Sequence, residues 1–305
     1  MKLLDFFTDL YRPKRLRGRS PETTRLYLIS LRHFDRTLGH EARLEDLTDD
    51  NLNRHCQRVR DEGKAASTVN KDLAQILTIW RFAHRLGMVQ NWPDVMKEVE
   101  PERVPMAWMP EEVNALLAHI QRSGDHIGEV PAKYFWKAFV LVAIDTGERV
   151  SAIRSSRWDW LSGNWMSIPA EARKGKTRDR VYHLNAVTLE VFKSIRKHTD
   201  SPLIFPWPYC KSHFWRKYSQ VLEGAGLPTG RKSGPHRLRK THASAVHAAG
   251  HSAQEAMDHQ DARTTRAYLD PRLTNTARPC DILAAYLANP GKKSPPAADS
   301  ARDVG

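Results

Sequence analysis

The chain has 305 residues, and its 48 lysines and arginines against 35 aspartates and glutamates give a net charge of +13, which favours a polyanionic partner over a merely soluble basic protein. The longest apolar run, Ala138 to Ile144, is too short to span a bilayer, and the N-terminus has no signal-peptide core. The three cysteines are widely separated, so they predict neither a disulfide framework nor a paired-cysteine metal site, and a reducing, cytoplasmic setting is expected.

The first hundred residues are predicted to form an all-helical unit. Ser20, Pro21 and Glu22 supply an N-cap, a proline at the first helical position and an early carboxylate. Apolar side chains then recur at helical spacing, at Tyr27, Leu31, Phe34 and Leu38. A second helix is predicted from Ser67 to Gly87, with an apolar stripe at Leu73, Ile76, Leu77, Trp80 and Phe82.

The other side of this second helix is polar and basic. A basic helix face is often only solvated, and that alternative stays open. Several helices of the unit nevertheless expose positive charge, as a clamp on a phosphate backbone requires. The candidate DNA-binding residues on this helix are Thr68, Asn70, Lys71 and Arg81. The polar, proline-containing stretch 98–105 predicts a linker that closes a first domain of residues 1–105.

The second domain, residues 106–289, is predicted to be mostly helical. A helix begins at Pro110, and another from Pro131 to Ile144 is apolar nearly all round, which indicates a buried helix. It ends at Thr146-Gly147, where glycine can adopt the left-handed cap conformation. Arg149 follows at the start of the next helix, where a phosphate would gain from the helix N-terminus. A surface ion pair is the alternative for this arginine.

Two strands interrupt the helices. Trp165 to Ile168 and Arg180 to Leu184 predict a pair joined by a basic turn. Lys174 and Lys176 lie in this turn and could reach into a DNA groove, although such a turn is more often a solvated loop. The predicted class is mainly α (α+β), with a small antiparallel sheet, and residues 290–305 are predicted to be disordered.

Five residues of the second domain suit one phosphodiester. His259 lies nine residues before Tyr268, and the string His236-Arg237-Leu238-Arg239 precedes that pair. Arg149 is the fifth, far upstream. Arginine presents a planar fork of donors to non-bridging phosphate oxygens. Among two arginines and two histidines, the phenol is the natural nucleophile.

Three segments of the chain resemble the four catalytic motifs of the tyrosine recombinases, also called phage-type integrases. Residues 146–149 resemble the first arginine box, residues 236–243 the His-x-x-Arg box, and residues 257–268 the final histidine box and the tyrosine. Residues 67–73 and 91–93 look like the start and end of a helix in the family's core-binding domain. The resemblance covers nearly the whole chain. It implies a helical, SAM-like core-binding domain followed by a mostly helical catalytic domain.

The resemblance also implies the chemistry, which is site-specific recombination. Tyr268 attacks the scissile phosphate and forms a 3′-phosphotyrosyl bond, with His236 as the neighbouring acid or base. Arg149 and Arg239 clamp the phosphate and stabilise its pentacoordinate transition state. His259 donates a further hydrogen bond to the phosphate.

The leaving 5′-hydroxyl needs a proton, and the resemblance assigns this role to Lys174, with Lys176 as the alternative register. No metal or other cofactor is implied, because arginines and a lysine supply the positive charge. The implied partners are double-stranded DNA core sites and three further copies of the chain, with accessory DNA-bending or directionality factors left open. Residues 281–287 look like a helix that docks on a neighbouring subunit or, equally, on its own core.

The chain departs from the family pattern at two positions near the site. Ala152 stands where the family often has an acidic residue, and Asp258 stands where it has a glycine before the last histidine. Two rival functions share many of these features: a type IB topoisomerase, and a non-catalytic DNA-binding relative. A metal site at His236, His242, His247 and His251 is a weaker alternative, because Ala248 occupies the position of the carboxylate in the zinc motif.

Overall fold

The computed structural model describes residues 1–173, 175 and 178–275. Lys174, Lys176, the helix proposed at 281–287 and the predicted disordered tail lie outside this range. Contacts within the chain divide it into two units, Met1–Glu102 and Arg103–Gly305. No described helix is long and apolar enough to cross a membrane.

The regular elements of the first unit are helices. Its helices are α1 (Leu3–Asp5), a π-helical stretch (Phe6–Tyr11), α2 (Arg12–Arg15), α3 (Pro21–Leu38), α4 (Asp49–Asp61) and α5 (Ala66–Arg85). The two helices predicted from periodicity are α3 and α5. Their apolar stripes meet in one core, where Phe34, Leu73 and Trp80 are fully buried. Ser20 precedes α3 in an extended conformation, but its hydroxyl lies 3.4 Å from that of Thr23 and does not cap the backbone.

Asn70 does not lie on the basic face of α5. Its side chain is buried, and its amide nitrogen donates to the backbone oxygen of Glu98 at 2.8 Å and to a carboxylate oxygen of Glu100 at 2.7 Å. The amide oxygen accepts from the backbone nitrogen of Glu98 at 2.8 Å. Residues 98–100, predicted as linker, are therefore fixed to the first unit, and the Asn70 amide is engaged in these contacts instead of being presented at the surface.

The second unit is mostly helical. Its helices are α6 (Pro110–Gln121), α7 (Ala132–Thr146), α8 (Val150–Arg154), α9 (Ala186–Arg196), α10 (Lys211–Gly224), α11 (His236–Ala248), α12 (Ala253–Met257), α13 (Ala262–Arg266) and α14 (Pro271–Thr274). The apolar helix α7 lies at the centre and packs against α6, α9 and α11. This position explains why it is apolar nearly all round.

Five short strands within the described residues form two antiparallel sheets. They are β1 (His126–Ile127), β2 (Val130–Pro131), β3 (Leu161–Ser162), β4 (Trp165–Ile168) and β5 (Arg180–His183). The order of the larger sheet is β3-β4-β5, with Trp165 opposite His183 and Ile168 opposite Arg180. The predicted pair is therefore β4 and β5. The mainly helical class with a small antiparallel sheet is confirmed, although the two-residue strands β1, β2 and β3 were not predicted.

Candidate active site

The first arginine box, residues 146–149, lies at the C-terminal end of α7. Gly147 has a φ of 62°, in the left-handed region, and a Cβ at this position would lie 2.4 Å from Cδ2 of His242. Both the backbone conformation and the close approach therefore require glycine. His242 is fixed in turn, because its Nδ1 donates to the carbonyl of Ile144 at 2.6 Å. The chain then turns so that Arg149 becomes the N-cap residue of α8.

Arg239 is the side chain that connects the separate motifs. It is buried in the first turn of α11 and donates to the carbonyls of Gly147 and, at 3.1 Å, Met257. Its Nη2 also lies 3.2 Å from Nε2 of His259. Its Nε has no acceptor among the described residues. A buried donor without an acceptor is costly, so this atom is suited to an anion that enters the site.

Tyr268 lies against the two histidines and the arginine. The centroid of its half-buried ring is 5.1 Å from that of His236 and 5.0 Å from that of His259. The guanidinium carbon of Arg239 lies 5.6 Å from the same centroid. The backbone of Tyr268 is held as well, because the Ser244 hydroxyl donates to the Tyr268 carbonyl at 3.2 Å. Side chains from α11, from the loop after α12 and from the loop after α13 thus meet around the Tyr268 ring.

Both histidines are neutral at neutral pH. Desolvation, followed by the charges of Arg239, Lys240 and Arg149, lowers the pKa of His236 to about 4, although the residue as a whole is exposed. Desolvation, followed by Arg239 and Arg149, likewise lowers the pKa of His259 to about 4. Positive neighbours and partial burial both disfavour the imidazolium. His236 is therefore able to accept a proton.

His259 can carry its proton on either ring nitrogen. Its Nε2 faces the donor Nη2 of Arg239, so here the proton belongs on Nδ1, which lies 3.0 Å from the hydroxyl of Thr265. A hydroxyl can either accept or donate. If the Arg239 guanidinium turned towards a bound anion, the His259 proton could move to Nε2 and the Thr265 hydroxyl could donate to Nδ1. The Nε2–H could then donate to the same anion.

A cavity of about 310 Å³ opens beside these groups. Some of the residues that line it were not predicted from the sequence. Arg149, His236 and Arg239 line it, and so do Arg154, Lys211 and Trp215. Arg149 thus shares one cavity with His236 and Arg239, two of the other candidate catalytic residues. Arg154 lies five residues after Arg149 on the same short helix, which is the sequence signal that could have indicated it.

Arg154 is a half-buried cation that has no acidic partner among the described residues. Its guanidinium carbon lies 4.8 Å from the ring centroid of Phe214 and 5.9 Å from that of Trp207. No hydrogen bond or ion pair to Arg154 occurs within the described part of the chain, and its Nε is buried without an acceptor. Burial lowers its pKa. Two aromatic faces hold the guanidinium, and its free donors can bind an anion in the cavity.

The first unit offers three of the four predicted DNA-binding residues at its surface. Lys71 and Arg81 are exposed and Thr68 is half-buried, and the guanidinium carbon of Arg81 lies 5.6 Å from the ring centroid of Trp92. Asn70 is buried, as described above. The predicted residues Lys174 and Lys176 of the second unit lie outside the described residues.

Comparison with known proteins identifies the family. Residues 108–274 match the model of the phage integrase family, and residues 6–87 match that of the phage integrase N-terminal SAM-like domain. The chain belongs to the phage integrase family. The resemblance is confirmed, and the chain is a tyrosine-type site-specific recombinase. The matched SAM-like domain also favours a recombinase over a topoisomerase.

Several known proteins are similar to this recombinase over most of its length. The tyrosine recombinase XerD of Halalkalibacterium halodurans is 25% identical over 275 residues, which cover 83% of this chain and 88% of the relative. A lambda integrase dimer bound to a COC′ core site has a TM-score of 0.70 at 18% identity, covering 89% and 96%. A lambda integrase tetramer bound to a Holliday junction has a TM-score of 0.69 at 17% identity, covering 91% and 79%. The solved structures confirm the fold.

Proposed function

We propose that this recombinase cleaves one DNA strand with Tyr268 as the nucleophile, at a phosphate held by Arg149 and Arg239. One observation carries the proposal most directly. The buried guanidinium of Arg239 joins the backbones of two motifs, contacts His259 and lies beside the Tyr268 ring. A phosphate bound to its free Nε would therefore lie close to the phenol.

The cleavage step follows from this arrangement. The phenolic oxygen of Tyr268 attacks phosphorus and its proton passes to neutral His236, while the bond from phosphorus to the 5′-oxygen breaks. The two guanidinium groups stabilise the charge of the pentacoordinate transition state. The leaving oxygen takes a proton, for which Lys174 stays the predicted donor. The products are a 3′-phosphotyrosyl bond and a free 5′-hydroxyl, and attack by a partner strand's 5′-hydroxyl reverses the step.

We further propose that four copies assemble on double-stranded DNA core sites in the cytoplasm. Exchange of two duplexes needs four cleaved strands and hence four active sites. A similar protein, lambda integrase, has been solved as a tetramer on a Holliday junction. Accessory DNA-bending or directionality factors stay a prediction from the resemblance.

A suitable DNA probe can be selected from random sequence. Duplexes are enriched from a randomised library by binding to the full chain, and the cleavage position is mapped from covalent adducts. A duplex of this sequence, nicked so that the short 5′-hydroxyl fragment diffuses away after cleavage, is called the selected duplex below. We expect it to give a denaturant-resistant adduct at the new 3′ end. Attachment at a 5′ end would contradict the proposed polarity.

The low pKa of His236 predicts cleavage that persists in mild acid. A histidine with the ordinary pKa of 6.5 would lose its base form below that pH, whereas His236 stays neutral until the pH approaches about 4. The second-order rate of adduct formation reports the free enzyme, and it should stay level from about pH 8 to about pH 5 and fall below that. A fall centred near the ordinary histidine pKa would contradict the proposal.

Acid unfolding has to be separated from this loss of activity. Because the folded-state pKa of His236 and of His259 is about 4, below the ordinary 6.5, the unfolded chain binds these protons first. Folding stability therefore decreases as the pH falls from 6.5 towards 4. Circular dichroism at each pH identifies the range in which the chain is folded, and only rates within that range are compared.

Arg154 is expected to bind a backbone phosphate next to the scissile one. Arg154→Gln should weaken binding of the selected duplex and reduce the slope of log affinity against log salt by about 1, because one phosphate contact is lost. Arg157→Gln is the matched control, since Arg157 is already paired with Asp159 at 3.0 Å and lies outside the cavity lining. An unchanged salt slope for Arg154→Gln, measured by fluorescence anisotropy, would exclude the contact.

A further inference from the structure

Three residues that each immediately precede a candidate catalytic residue are joined by hydrogen-bonded ion pairs. Glu148 precedes Arg149, Arg173 precedes Lys174 in the sequence, and Asp258 precedes His259. Arg173 lies in the middle. Its Nε donates to Glu148 at 2.6 Å, and its Nη1 donates to Asp258 at 2.9 Å. We call Glu148, Arg173 and Asp258 the buried triad.

The buried triad is well shielded from water. The side chains of Glu148, Arg173 and Asp258 are 1%, 6% and 12% exposed. Buried charges are tolerated only with good partners, and each member has more than one. Glu148 also accepts from the Tyr182 hydroxyl at 2.6 Å and from the backbone nitrogen of Arg149 at 3.0 Å. Burial alone would raise the pKa of the Glu148 carboxyl, but the hydrogen bonds from these donors and from Arg173 outweigh it. The pKa of Glu148 is therefore lowered, and the group is a carboxylate.

Asp258 reaches the triad through an unusual backbone conformation. Its φ of 58° makes it the one residue other than glycine with a positive φ in the described ranges. The left-handed conformation costs an aspartate more than a glycine. The compensation is electrostatic, since the Asp258 carboxylate pairs with both Arg173 and Arg178. Asp258 therefore fixes Arg173 and Arg178, which lie on either side of Lys174 in the sequence.

The buried triad also accounts for the departure from the family pattern at Ala152. Ala152 is fully buried among the apolar side chains of the second unit's core, where a charged side chain is costly unless it is paired. A buried carboxylate next to Arg149 is supplied instead by Glu148. The two departures thus belong to one arrangement, in which the chain carries its acidic groups at 148 and 258.

We propose that the buried triad is a positioning device that fixes the chain before Lys174 to the phosphate site, so that the leaving 5′-oxygen is protonated as its bond to phosphorus breaks. This inference rests on the proposed function. In the step concerned, the bond between phosphorus and the Tyr268 oxygen forms and the bond to the 5′-oxygen breaks. The ammonium proton of Lys174 passes to that oxygen. Asp258 acts through the arginines and touches neither substrate nor reacting atoms.

Asp258→Gly tests the proposal without a folding defect. Glycine accepts the left-handed conformation, and Arg173 keeps its contact with Glu148, so no buried charge is left unpaired. We expect adduct formation on the selected duplex to slow about 10²-fold, the scale for a misplaced reacting group. Glu255→Gln, which removes an exposed carboxylate from the same helix α12, is the charge-matched control and should cleave like the unmodified chain.

The decisive comparison replaces the bridging 5′-oxygen of the selected duplex by sulfur. A thiolate leaves without needing a proton, so Asp258→Gly should cleave this substrate at the wild-type rate. Wild-type cleavage of ordinary DNA by Asp258→Gly, or an equal loss on both substrates, would overturn the positioning role. If the unmodified chain formed no adduct on either substrate, the proposed function itself would fail and the inference with it.

Discussion

Tyr268→Phe is expected to abolish covalent attachment to the selected duplex. The change removes one hydroxyl and no charge, so the phosphate keeps its contacts with Arg149 and Arg239 while the nucleophile is lost. The phenyl ring can still pack against His236 and His259, whose ring centroids lie 5.1 and 5.0 Å away. Denaturing gels should show an adduct for the unmodified chain and none for the variant.

DNA affinity separates this result from a trivial loss of binding. Since Tyr268→Phe leaves every basic side chain in place, anisotropy with the selected duplex should give a dissociation constant within about a factor of two of the unmodified value. Tyr209→Phe is the matched control, because Tyr209 is exposed and lies outside the described cavity lining. An adduct that persists in Tyr268→Phe would show that another residue is the nucleophile.

Arg239→Lys is expected to reduce cleavage by about 10³-fold or more while retaining the positive charge. The guanidinium bonds to the carbonyls of Gly147 and Met257 and contacts His259 at the same time. A lysine has a single ammonium group, which cannot reach these acceptors and a phosphate oxygen together. Single-turnover rates of adduct formation at saturating protein measure the loss at the chemical step.

Arg237→Lys is the control for a general effect of a buried arginine. Arg237 is also buried, but it bonds to the carbonyl of Ala107 at 3.0 Å and lies over the Trp108 ring at 3.5 Å. Its replacement should lower thermal stability and leave the rate of the folded fraction nearly unchanged. Equal kinetic losses in the two variants would mean that Arg239 serves folding rather than transition-state stabilisation.

The helical framework could be predicted because apolar spacing decides it. The apolar stripe through Leu73, Ile76 and Trp80 predicted both ends of α5 to within two residues. The same spacing places Asn70 three residues before Leu73, on the core side, which the interpretation of a polar face overlooked. The hairpin of β1 and β2 was missed, since two-residue strands leave too few positions for alternation to be visible.

The site was predictable as a set of residues but not as a geometry. The motifs named Arg149, His236, Arg239, His259 and Tyr268, and these residues do converge. Their spacing in sequence carries no information about non-local partners. The ion pairs of Arg173 with two distant carboxylates and the aromatic contacts of Arg154 therefore appear only once the chain is folded.

The most direct test of the account is to identify the residue that carries the DNA. The adduct formed on the selected duplex is digested with trypsin and nuclease, and the peptide that retains a nucleotide is sequenced by mass spectrometry. We predict the peptide of residues 267–272, which lies between the cleavage sites Arg266 and Arg272 and contains Tyr268 as its one tyrosine. A nucleotide on any other peptide would contradict the assignment of Tyr268 as the nucleophile.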